Sequence, residues 1–174
     1  MKKRMTKAEQ RVLIAKDVIA QLKARRTIGG HGDYITWKNP VPIKEGAQVK
    51  DLFKDIPQCK VCAKGAALLA AVDRFNKLKI TVWEADDQAK GYYKGSFLEK
   101  WFSLEQLGEI ESAFEGWSKA ENYTEFSYKH LPKQAANAGI RISMIMQNII
   151  RNEGTFVPEQ FIHRMMTKGY YARI

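Results

Sequence analysis

Pro57-Gln58-Cys59-Lys60-Val61-Cys62-Ala63-Lys64-Gly65-Ala66-Ala67-Leu68-Leu69-Ala70-Ala71-Val72 is the stretch on which the fold turns. Alanines at 63, 66, 67, 70 and 71 give a narrow surface that lets another helix approach closely, while Leu68, Leu69, Val72 and Phe75 supply volume. With a proline at its head, the pattern predicts a helix from about Pro57 to Lys77. The stretch also holds the only two cysteines of the chain, spaced Cys-x-x-Cys at the start of that helix. A thiol at a helix N-terminus sits near the positive end of the dipole, which favours thiolate, metal binding or redox chemistry.

On the N-terminal side, Thr6-Lys7-Ala8-Glu9 reads as a capping box. Val12, Leu13, Ala15, Ile19 and Leu22 then recur near helical spacing, and Gly29-Gly30 is the expected stop. Residues 27–56 read as an irregular segment broken by Pro40, Pro42 and Gly46, with Tyr34–Trp37 as a short strand and Val49–Phe53 as a helical turn. On the C-terminal side, Lys79-Ile80-Thr81-Val82-Trp83 alternates like a strand, with a helical continuation as the alternative, and Glu84–Gly95 reads as a polar loop. Phe97–Trp101 reads as a short helix. Ser103-Leu104-Glu105-Gln106 is a second capping box, for a helix with Leu104, Leu107, Ile110, Phe114 and Trp117 inward. A long helix carrying Ile140, Ile142, Met144, Ile145, Ile149 and Ile150 follows Pro132, and Pro158 opens a last one with Phe161, Ile162, Met165 and Met166 apolar. The expected object is one mostly α-helical domain over residues 1–174, with at most a minor β-hairpin or short strands, α+β being the alternative class.

The net charge of +10 is unevenly placed. Residues 1–30 carry +7, residues 31–83 carry +4, residues 84–125 carry −6 and residues 126–174 carry +5. Such polarity favours docking on nucleic acid or on an acidic protein surface. No apolar run approaches the length of a membrane span, and no apolar signal core follows the basic start, so the expectation is a cytoplasmic protein without a membrane partner.

Two sets of residues are candidates for chemistry. Lys2, Lys3, Arg4, Lys7 and Arg11 begin the first helix and Lys23, Arg25 and Arg26 end it, with Tyr34 and Trp37 nearby to stack on bases of a single strand. Lys168 and Arg173, beside Tyr170 and Tyr171, repeat the basic-plus-aromatic mixture. The plain alternative is that lysine-rich ends serve solubility. Cys59 and Cys62 form the other set. They fit half of a zinc site that would need His31 or His130 and an acid, or a redox pair, or two small buried hydrophobes. No cofactor is expected beyond that one zinc option. Gly29-Gly30-His31-Gly32-Asp33 lacks the lysine of a phosphate-binding loop and reads as a turn. Glu84, Asp86 and Asp87 do not match a calcium loop, and His163 reads as a helix-surface residue.

Four segments, Arg11–Val18, Cys59–Ala66, Phe102–Leu107 with Ile110-Glu111 and Ala113–Glu115, and Ile145–Asn152, together resemble small proteins of phage and mobile-element genomes. No established activity attaches to that group, so no functional residue is carried over. The resemblance implies an accessory protein that meets host or defence machinery in the host cytoplasm. Three functional expectations follow: a non-catalytic protein whose basic surface engages nucleic acid or a nucleoprotein complex, an inhibitor that binds a host or defence enzyme, and a Cys-x-x-Cys metal or redox protein.

Overall fold

An alanine-rich helix in the middle of the chain is buried along most of its length, and the other elements are arranged around it. The computed structural model describes residues 4–30, 34–37, 46–52, 59–77, 79–90, 96–115 and 137–167. In chain order these form α1 (Lys7–Lys23), β1 (Thr27–Gly29), β2 (Ile35–Trp37), α2 (Val49–Leu52), β3 (Cys59–Val61) and α3 (Ala63–Asn76). They continue with α4 (Val82–Lys90), a 3₁₀ turn (Phe97–Lys100), α5 (Leu104–Glu115), α6 (Ala138–Arg151) and α7 (Pro158–Thr167). The protein is therefore mostly helical with a small three-stranded sheet.

Every residue of α3 from Ala63 to Val72 is buried. Its small side chains allow α1, α4, α5 and α6 to pack on it, and Leu68 and Leu69 fill the remaining space without exposure. Burying each such leucine stabilises the fold by about 1.5–3 kcal/mol. Helices α1 and α6 form the most extensive helix pair, so α3 and α6 both have α1 on one side and α5 on another.

The sheet has the order β1-β3-β2, with β3 parallel to β1 and antiparallel to β2. Cys59 pairs with Thr27 and Trp37, and Val61 with Gly29 and Ile35. Two glycines set how the sheet meets the helices. A Cβ on Gly29 would lie 2.2 Å from the backbone nitrogen of Gly139, so β1 touches the start of α6 backbone to backbone. A Cβ on Gly65 would lie 1.9 Å from the carbonyl oxygen of Tyr34, which holds the first turn of α3 against β2.

Several elements differ from the sequence reading. The Ala-rich helix begins at Ala63, and Cys59–Val61 is instead a strand whose buried, exposed, buried pattern has the period of two. Residues 82–90, read as strand end and polar loop, are helical. Thr81 and Glu84 form a capping box there: the Thr81 backbone N–H donates to Glu84 Oε2 at 2.8 Å and the Glu84 N–H to Thr81 Oγ1 at 3.2 Å. The strand-like alternation before it survives only as one bridge between Thr81 and Gln48. Helix α1 ends before the glycines, at Ala24 and a left-handed Arg25, and it buries Ile14, Ala15, Val18 and Gln21, whereas Val12, Leu13 and Leu22 are half-buried. Leu104, expected inward, is 49 % exposed because it opens α5. Trp117 lies outside the described residues.

Candidate functional site

The two thiols sit one after the other at the junction of β3 and α3. Cys59 points into the core from the strand, and Cys62 is the N-cap of α3, its sulfur accepting the Gly65 N–H at 3.4 Å. A cap normally uses an oxygen, and here the sulfur closes the first turn in its place. Burial raises both thiols from the ordinary value to about 12. At Cys62 the N–H groups of Gly65 and Lys64 and the ammonium of Lys64 oppose that rise, and Glu115 adds to it. Desolvation thus outweighs the helix terminus, and both groups are neutral thiols at pH 7. Among the described residues no three His, Cys, Asp or Glu side chains are grouped to hold a metal ion. His31 and His130, the other ligands considered for zinc, lie outside the described residues. Among the acids considered for a divalent cation, Glu84 is held in the α4 cap.

Next to Cys62 stands a feature that sequence reasoning missed. Lys64 is buried in the first turn of α3, with Nζ 3.0 Å from Glu111 Oε2 on α5 and 4.8 Å from the centre of the Tyr34 ring. The Tyr34 hydroxyl donates to Glu111 Oε1. One carboxylate therefore ties α3, α5 and the start of β2 together, and the ammonium rests on an aromatic face. A lysine inside an otherwise apolar Ala/Leu run was the available signal, but its partner lies 47 residues away.

The basic residues divide between the two ends of α1, a helix of 17 residues and so about 25 Å long. Arg4 and Lys7 are exposed at its start, and Lys23 and Arg25 at its end. Lys16, not singled out from sequence, is exposed between them and lies on the same face as Lys23, seven residues on. Arg11 is not part of this surface: its Nε donates to the Gly154 carbonyl at 2.5 Å and its Nη1 to the Trp101 carbonyl at 2.7 Å. Arg26 is half-buried and pairs with Asp73 at 3.9 Å. Tyr34 and Trp37 are half-buried and packed on the core, so neither ring stands open for a base to stack on. Lys2, Lys3, Lys168 and Arg173 lie outside the described residues.

Comparison of the chain with protein-family models, with curated proteins and with solved structures returns no match. The site itself carries the functional reading.

The acids near the α1 cations are engaged within the protein. Glu9 serves the capping box, accepting the Thr6 N–H at 2.7 Å. Asp17 accepts from Arg74, with Nη2 at 2.6 Å from Oδ1, and this pair accounts for the raised pKa of that arginine. No described helix is long and apolar enough to cross a membrane.

Proposed function

We propose that this protein is an accessory binding protein of the phage type, and that the outer face of α1 engages nucleic acid. The observation that carries the reading is the charge balance along α1. Lys16 and Lys23 are exposed on one face of a helix about 25 Å long, with exposed Arg4 and Lys7 at its start and Arg25 just past its end, while the two acids of the helix are held in a cap and an ion pair. The phosphates of one DNA strand recur about every 3.4 Å along the duplex axis, so a backbone lying beside the helix meets several cations in turn. With Tyr34 and Trp37 packed on the core, the contact is to the phosphate backbone and not by stacking.

Equilibrium binding of labelled single- and double-stranded DNA and RNA over a salt series tests this. The expected result is affinity that falls steeply with salt, by about 0.9 in log K per log salt for each phosphate neutralised on a duplex. The triple variant Lys16→Glu, Lys23→Glu, Arg25→Glu is expected to weaken binding at least about tenfold and flatten that slope. No binding at low salt, or a variant that binds as the wild type does, overturns the reading. The same surface then belongs to an acidic protein partner, and a host or defence enzyme blocked by this chain becomes the leading alternative.

A further inference from the structure

A second basic site lies away from the α1 face, between α6 and α7. The cleft has a volume of about 510 Å³, within the range of pockets that hold small molecules. Arg151 enters it from α6 and Arg164 from α7, with Gln147 beside Arg151 and the buried Met144 and Phe161 as apolar lining. The Arg151 guanidinium is steadied by its neighbour, Nη2 donating to Gln147 Oε1 at 3.0 Å. Half-buried Arg164 has no hydrogen-bond or ion-pair partner among the described residues. Partly desolvating a guanidinium without an anion is unfavourable, so an arginine held this way is poised for one.

The separation of the two walls is fixed by the protein. Asn148, at the base of the cleft, donates from Nδ2 to the Val157 carbonyl at 3.0 Å and accepts the Val157 N–H at Oδ1 at 2.8 Å. Both polar groups of its side chain are thus used to seat the start of α7 against α6. The loop between the helices is pinned as a strand partner would pin it, and little ordering is left for a ligand to bring about. Glu159 is the one acid lining the cleft. It also faces α5, where with Glu105 it adds to the effect of burial in raising the pKa of Glu109.

From this geometry we infer that the α6–α7 cleft binds a terminal phosphate group, the phosphomonoester of a mononucleotide or of a strand's 5′ end. Arg151 and Arg164 bring guanidiniums from separate helices to the lining of one cleft, and a phosphomonoester carries nearly two charges at pH 7 where a backbone diester carries one. The cleft has room for a phosphate with its sugar and too little for a duplex. Exposed His163 and Gln160 at its edge are placed to meet the rest of such a ligand. The inference stands apart from the α1 face and does not depend on it.

Calorimetric titration of the full chain with inorganic phosphate, AMP and adenosine, followed by the arginine Nε–H signals in NMR, is the test. AMP and phosphate are expected to bind and to shift the Arg151 and Arg164 signals, while adenosine does not. Arg164→Gln is expected to weaken AMP at least about tenfold, as loss of a charge-assisted bond does, and Arg164→Lys to fall between. The Lys16→Glu, Lys23→Glu pair should leave AMP binding unchanged, which separates this site from the α1 surface. A 5′-phosphorylated oligonucleotide that outcompetes its 5′-hydroxyl twin identifies a strand end, and AMP alone identifies a free nucleotide. Either supports the inference. Binding of AMP that is indifferent to Arg164→Gln, or no binding of any phosphate probe, overturns it.

Discussion

Helices α1 and α3 pack against each other and have been shaped by opposite demands. Helix α3 is sealed over its first part: every residue from Ala63 to Val72 is buried, and the one charge in that span, Lys64, is bound to Glu111. Helix α1 buries a stripe of Ile14, Ala15, Val18 and Gln21 and leaves Lys16 and Lys23 in water. In sequence the β3–α3 junction carries the residues that look chemical, Cys59 on the strand, Cys62 at the cap and Lys64 in the first turn, yet packing accounts for each of them. The cations of α1 look ordinary, and no described side-chain hydrogen bond or ion pair uses the exposed Lys16 or Lys23. Residues that the fold consumes are unavailable to a partner, whatever their intrinsic reactivity.

The comparison can be broken most forcefully at Gly65. Gly65→Ala forces a methyl onto the Tyr34 carbonyl, and a loss of about 3 kcal/mol or more in urea unfolding is expected, enough to leave much of the chain unfolded. A near-neutral outcome would mean that α3 is not sealed against β2. Next comes the buried ion pair. Glu111→Ala strands the Lys64 ammonium and should cost about 2–4 kcal/mol, whereas Lys64→Met, which removes the charge itself, should cost much less. Equal losses in the two variants would show that packing volume, and not charge, governs the site.

The thiols sharpen the contrast through pH. A folded pKa of about 12 lies above the ordinary thiol value of 9.0, so the unfolded chain releases these protons first. The native state therefore holds its full stability below pH 9 and loses it as pH rises from about 9 to about 12, by on the order of 1 kcal/mol per pH unit for each thiol. Replacing both cysteines by alanine lowers stability at pH 7 and should flatten that alkaline slope. A slope identical to wild type would place the thiols in contact with water. The smallest effect belongs to α1: Lys16→Glu with Lys23→Glu should shift stability by no more than about 0.5 kcal/mol while weakening nucleic-acid binding. Instability in that variant would return those lysines to the fold.

The boundary between what the sequence discloses and what it hides runs through one motif used twice. Thr6 and Glu9 announced α1, because an apolar periodicity of helical spacing follows them. Thr81 and Glu84 make the same capping box for α4, but Ile80-Thr81-Val82 alternates in a strand-like way and acids dominate from Glu84 to Asp87, so the pattern hides the cap. Cys59–Val61 merges in sequence with the helix after it, since three residues carry too little period to stand out from an Ala-rich run. Basic surface was legible as composition, while its division between free cations and the committed Arg11 and Arg26 depends on Gly154, Trp101 and Asp73, all far away in the chain. The Lys64–Glu111 pair and the α6–α7 cleft arise only when separate helices meet, and no local pattern encodes such a meeting.

The Arg11 clamp bears on how the chain acquires its shape during synthesis. Its guanidinium closes on Gly154, 143 residues later, and the extensive α1–α6 interface spans a comparable distance. At about 5–20 residues per second a ribosome needs roughly 7–30 s to supply that partner after α1 has been made. Through that interval Ile14, Ala15 and Val18 have no α6 to cover them. The nascent chain thus holds the apolar stripe of α1 with part of its cover, that from α3, and completes the cover when the late helix arrives.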